Sequence, residues 1–152
     1  SRPHPKKPSC SFGGRGGFIY ASRCAHVLGP ADVKNILTAS QRNNARLGVT
    51  GALCLNNGIF LQQLEGERTA VNALYHRILK DTRHCDTGIL DFSEITHRQF
   101  TGWSMGLLQS LDTNRQLFLK YSGSAEFDPY SMSCASLRSF FAEVLQNVRW
   151  LD

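Results

Sequence analysis

Hydrophobic positions along the chain change period several times, and each change marks an element. In GFIYAS (residues 17–22), Ile19 and Tyr20 fall on opposite faces of an extended chain, which predicts a first strand. Val33, Ile36, Leu37, Ser40 and Asn44 then share one stripe at helical spacing, and Pro30 suits the first turn of that helix. GVTGALCL (48–55) and IFLQQLE (59–65) read as strands, and the NNG between them is a hairpin signal. Val71, Leu74, Tyr75 and Ile78 predict a second helix over 69–80, followed by two more strands, GILDFSEI (88–95) and FTGWSMGLL (100–108). The order β-α-β-β-α-β-β defines an α+β class: a ferredoxin-like antiparallel sheet with two helices on one face.

From residue 114 onward come a short segment, RQLFLKY, and a longer amphipathic helix carrying Leu137, Phe141, Val144, Leu145 and Val148. Two helices cover only one side of a ferredoxin-like sheet, so Ile59 and Leu61 would meet water on the other. Such an apolar patch marks an interface. The C-terminal helix, or its copy in another subunit, is expected to pack there.

Several polar residues stand where the pattern asks for apolar ones. Phe60, Gln62 and Leu64 share one face of their strand, and nothing about a strand calls for glutamine there. Asn44 lies within the apolar stripe of the first helix near its C-terminal end, with Asn43 on the edge of that stripe beside Ile36. Tyr20 stands on the first strand, and KDTRH (80–84) closes the second helix with Asp81, Arg83 and His84. A buried amide without partners costs about 1–3 kcal/mol. Either these groups satisfy one another, or a polar, planar ligand lies between Ile36 and Ile78. Each has a plain structural reading as well: a core tyrosine with its hydroxyl satisfied, a helix C-cap at Asn43–Asn44, a solvated turn at 81–84.

Charge and cysteine content narrow the class. Of the net charge of +5, four units lie in residues 1–17, which hold Arg2, Lys6, Lys7 and Arg15 and no acid. The remainder is close to neutral, so a nucleic-acid partner is not indicated. The prolines and glycines of that stretch predict a disordered basic tail over 1–17. No apolar run is long enough to span a bilayer. Cys10, Cys24, Cys54, Cys85 and Cys134 are scattered without a CxxC pair, which argues against a disulfide framework and a zinc site and fits a reducing cytoplasm. Cys54 reads as a buried small hydrophobe.

IYAS, SQRNNARLGVTGALC, FLQQLEG, VNALYHRILKDTRH and RQFTGWSM occur in order between about Phe18 and Leu108, and together they resemble the BLUF domain, a blue-light sensor that uses flavin. The resemblance implies a flavin ring between the two helices. It matches Tyr20 and Gln62 to a light-switched hydrogen-bond chain, with excited flavin oxidising Tyr20 and the proton passing through Gln62. Asn44 is matched to the C4 carbonyl and N3 edge of the ring, Asn43 to its C2 side, and Arg77 to a flavin-binding arginine. Asp81, Arg83 and His84 match the segment near the ribityl chain and ring edge; Ile36 and Ile78 sandwich the ring; Trp103 and Met105 form a mobile pair on the last strand. The front departs from the family, since GGRGG precedes FIYAS where a longer apolar run is usual.

The resemblance further implies FAD as cofactor, with FMN or riboflavin as alternatives because no motif here recognises adenine or a pyrophosphate. The expected organisation is a tail (1–17), a flavin domain (18–110) and a C-terminal helical extension (111–152). Function is expected to be that of a stand-alone, non-enzymatic sensor, cytoplasmic and homo-oligomeric, signalling to a partner protein or through a change of assembly. Two other classes use the same fold: an enzyme, either an acylphosphatase-like hydrolase with Arg15 or Arg23 near the first strand or a small flavin reductase, and a cofactor-free interaction module in which Tyr20 and Gln62 satisfy each other.

Overall fold

The computed structural model describes residues 14–100, 106–109, 115–123 and 126–147. Its elements are β1 (Arg15–Cys24), α1 (Pro30–Leu47), β2 (Thr50–Asn56), β3 (Ile59–Glu67), α2 (Arg68–Leu79), β4 (His84–Ile95), β5 (Gly106–Gln109), α3 (Arg115–Ser122) and α4 (Cys134–Asn147). They form a five-stranded sheet of order β4-β1-β3-β2-β5, with β1–β4, β1–β3 and β2–β3 antiparallel. This is the ferredoxin-like arrangement predicted, with one correction. β5 runs parallel to β2, not antiparallel. The reason is directional: the chain leaves β4 at the end of the sheet where β2 begins and enters the opposite edge there, so it runs alongside β2.

β1 starts at Arg15 rather than residue 17, so the strand includes Gly16 and Gly17. The β2–β3 turn needs positive φ at both central residues, and Asn57 (φ 54°) and Gly58 (φ 72°) supply it. Gly51 meets a different demand. A Cβ there would stand 2.2 Å from the carbonyl oxygen of Gln63, so only glycine lets β2 approach β3 at that point.

β3 is buried on both faces because the sheet is the middle of three layers. On one side Phe18, Tyr20, Leu53, Phe60 and Leu64 pack with Ile36 and Leu37 of α1 and Val71, Leu74 and Tyr75 of α2. On the other side Ile19, Ala21, Cys54, Ile59 and Leu61 pack with Leu117 and Phe118 of α3 and Leu137, Phe140, Phe141 and Val144 of α4. The predicted cover for Ile59 and Leu61 is therefore the chain's own C-terminal helices. The side chain of Leu145 and all of Val148 lie outside the described residues, as do residues 1–13 of the basic tail. Cys54 is buried as expected. Among the described residues no helix is long and apolar enough to cross a membrane.

Candidate functional site

The site is built where β1 and β3 meet the ends of α1 and α2. Phe18, Tyr20 and Ser22 alternate onto the helix side of β1, and register places Tyr20 directly opposite Gln62. Tyr20 is completely buried, with the Tyr75 ring edge-on at a centroid distance of 5.6 Å. Its hydroxyl has no partner in hydrogen-bond geometry. Burial pushes its pKa well above the usual phenol range; the neighbouring Gln62 side chain is the largest influence in the opposite direction. Tyr20 is thus a neutral phenol at any physiological pH.

Ile36, Asn43 and Asn44 lie seven and eight residues apart on one face of α1. The helix does not end at the asparagines. It continues to Leu47 and is closed by Gly48 at φ 68°, so the C-cap reading of Asn43–Asn44 is corrected. Asn44 is 1% exposed and Asn43 half-buried. On α2, Leu74, Arg77 and Ile78 face the same space.

The turn after α2 is tied to itself. Asp81 accepts the backbone N–H of Arg83 at 2.9 Å and its guanidinium at 2.6–3.1 Å. The Arg83 hydrogen bond holds the Asp81 carboxyl below the usual carboxylate range. His84 closes this turn, donating its backbone N–H to the Asp81 carbonyl at 3.2 Å, and is also the first residue of β4; its side chain is buried, which corrects the solvated reading of 81–84. Its Nδ1 lies 2.9 Å from Ser22 Oγ and its ring 4.7 Å from Phe60, and burial lowers its pKa.

These elements enclose a cavity of about 130 Å³ lined by Ile36, Ala39, Ser40, Asn43, Asn44, Gln62, Leu74, Arg77, Ile78, Asp81, Arg83 and His84. All nine residues matched to a flavin site line this one cavity, and Tyr20 stands behind Gln62. Trp103 and Met105 lie outside the described residues. Ser22 was missed by sequence reasoning, although its signal is simple: a polar residue two positions after Tyr20, on the same core face. Arg23 is turned elsewhere, paired with Asp86 at 3.6 Å and stacked on Tyr130, and Arg15 is exposed at the strand start. Neither lines the cavity.

A ferredoxin-like sheet with a cleft between its helices, apolar on two sides and amide-bearing at one end, defines a receptor for a planar polar ligand. The chain belongs to the BLUF family, sensors of blue light using FAD, whose pattern it matches over residues 17–106. It is a blue-light flavin sensor. It is similar to the photo-activated state of BlsA, 28% identical, with a TM-score of 0.82 over 91% of this chain and 99% of that one. A Klebsiella pneumoniae BlrP1 structure with FMN is 26% identical with a TM-score of 0.61, covering 88% of this chain and 35% of that chain. The photoactivated adenylate cyclase subunit beta of Euglena longa is 33% identical over 89 residues, 58% of this chain and 10% of that protein. The chain spans about a tenth of the length of the curated relatives it matches.

Proposed function

We propose that the chain turns blue light into a changed protein surface by exchanging hydrogen bonds between Tyr20 and Gln62 beside a flavin ring held between α1 and α2. The observation that carries this reading is the Tyr20 hydroxyl, buried without a partner behind a glutamine that lines the cavity. An orphaned buried hydroxyl costs about 1–3 kcal/mol, so its retention calls for a role.

The lining residues fit a flavin. Ile36 and Ile78 would cover the ring faces, Asn44 and Asn43 would meet its polar edge, and Arg77, Asp81, Arg83 and His84 would surround the remaining edge and side chain. At about 130 Å³ the cavity is smaller than the ~300 Å³ typical of ligand clefts. Entry of a three-ring ligand therefore requires the long side chains lining it, Arg77 and Arg83, to swing outward. None of these residues selects for an adenine, so FAD is taken from the family and FMN is accommodated by the same contacts.

When bound, flavin supplies blue absorption and a strongly oxidising excited state. Tyr20 contributes a neutral phenol whose proton is held at Oη by desolvation. Gln62 contributes an amide, donor at one end and acceptor at the other, able to face the phenol and the cavity at once. Rotation of that amide exchanges both bonds at once. Output to a partner or through a change of assembly then leaves by the sheet, with 18–110 as the light-sensing unit and 111–152 as its responding extension.

The purified protein is expected to carry oxidised flavin and to show a small, reversible red shift under blue light. A colourless protein that stays colourless after incubation with FAD would sink this reading. Within the site, Asn44→Ala is expected to weaken flavin binding by about tenfold or more, as befits a buried hydrogen-bonding amide, and Asn43→Ala by less. The flavin-to-protein absorbance ratio after dialysis reads this. Equal occupancy in wild type and both variants removes the asparagines from binding.

A further inference from the structure

On the face of β3 opposite Gln62 sits a carboxylate that the flavin chemistry does not use. Glu65 is 1% exposed. One of its oxygens accepts the backbone N–H groups of Gln99 and Phe100, each at 2.9 Å, and the other lies 3.2 Å from the Gln99 N–H. Burial raises its pKa, and these two N–H groups, followed by Arg98 and His97, pull it back. Hydrogen bonds from backbone amides to an ionised acceptor are shorter and roughly twice as strong as neutral ones. The segment they hold, residues 96–100, is the crossover from β4 toward β5.

Two further contacts join the same segment to its neighbours. Gln63, beside Gln62 in sequence but on the outer face, offers its Nε2 to the Gln99 side chain at 3.5 Å, and its own Oε1 has no partner. Phe100 is buried with its ring 6.2 Å from Phe141 of α4, nearly perpendicular. A short run of β3 therefore carries three functions within four residues: Gln62 lines the cavity, Gln63 touches the crossover loosely, and Glu65 grips its backbone.

We infer that Glu65 is a positioning residue that makes the β4–β5 crossover follow β3, so that a rearrangement at Gln62 reaches α4 through Phe100 and Phe141. The inference rests on the proposed exchange at Gln62. Gln62 and Gln63 share a peptide bond, so a twist of the strand at this point moves both faces together. The Gln63–Gln99 contact is long and has a spare acceptor, so it gives and re-forms. The Glu65 contacts are short and charged, so the crossover backbone moves with the strand instead of slipping along it. Residues 101–105, which include Trp103 and Met105, follow the grip directly in sequence.

The test uses the full chain with flavin bound and hydrogen exchange in dark and light. Glu65→Gln keeps the side chain's size but replaces a charged acceptor by a neutral amide, and it removes a buried charge, so folding is expected to persist. In the dark, the Gln99 and Phe100 amides of E65Q should exchange about tenfold faster than in wild type. The red shift should remain, and the light-induced change in exchange across residues 134–147 should fall to about half or less. Phe100→Leu, which leaves the backbone grip intact and trims the contact with Phe141, should spare protection at 99 and 100 yet weaken the same response in α4. The proposal is overturned by a normal red shift in E65Q with unaltered protection at 99 and 100, or with an undiminished response in α4. It is also overturned by an F100L response equal to wild type. A wild-type protein with flavin but no red shift is seen in the first spectrum, and overturns the Gln62 exchange and this inference with it.

Discussion

Gln62→Leu is expected to retain flavin and to lose the light-induced red shift altogether. Leucine nearly conserves the volume between Phe60 and Leu64, so the strand and the helix-side core should hold to within about 1.5 kcal/mol. What disappears is the amide. Tyr20, directly across the β1–β3 ladder, then has no group through which its hydroxyl can communicate with the cavity. Tyr20→Phe approaches the same chain from the other end. It removes an unpaired buried hydroxyl, so it should not destabilise the fold, and it should likewise abolish the normal photocycle. Difference spectra before and after blue light, on both variants with matched flavin content, decide the matter. A normal shift in Gln62→Leu would show that another residue does the switching. Gln63 is the next glutamine in the chain, but its side chain is on the outer face of the sheet and would first have to cross it.

The elements legible in the sequence were those whose period is local. Helical spacing in α1 and α2, alternation in β1 and β3, and the Asn57–Gly58 turn each depend on residues within a few positions of one another. The misfit polar residues were legible for the same reason: Gln62 between Phe60 and Leu64, and Asn44 in the stripe of α1, contradict their own element's pattern. What was not legible depends on pairing at long range. The direction of β5 follows from which end of the sheet the crossover reaches, and no local pattern records that. His84 does end its turn, as DTRH suggests, but the burial of its side chain depends on the pairing of β4 with β1, where it stands opposite Cys24. Ser22 and Glu65 escaped notice because serine in IYAS and glutamate in QQLEGE look ordinary until a partner 62 or about 35 residues away is brought beside them.

The outer layer makes its own strong claim. Phe141→Ala is expected to destabilise the protein by about 3–5 kcal/mol, the cost of emptying a buried aromatic site that cannot fully collapse. Phe141 is completely buried, with Phe140 edge-on at 5.4 Å and Phe100 at 6.2 Å, in the cluster that also covers Ile59 and Leu61. Domains of this size are stable by only about 5–15 kcal/mol, so the loss should lower the melting temperature on the order of 10 °C. Leu119→Ala, at a half-exposed position of α3, serves as control and should change stability by only about 0.5 kcal/mol. The informative measurement follows unfolding with two probes, flavin release for the helix-side layer and far-ultraviolet circular dichroism for the whole. Because β3 is buried on both faces, a defect in the outer core should reach the flavin side through the strand, and the two probes should shift together. If α4 were an appendage resting on a self-sufficient sheet, flavin release would keep its wild-type midpoint while only part of the dichroism signal melted early. That outcome would separate the C-terminal helices from the light-sensing fold and leave Ile59 and Leu61 in need of another cover.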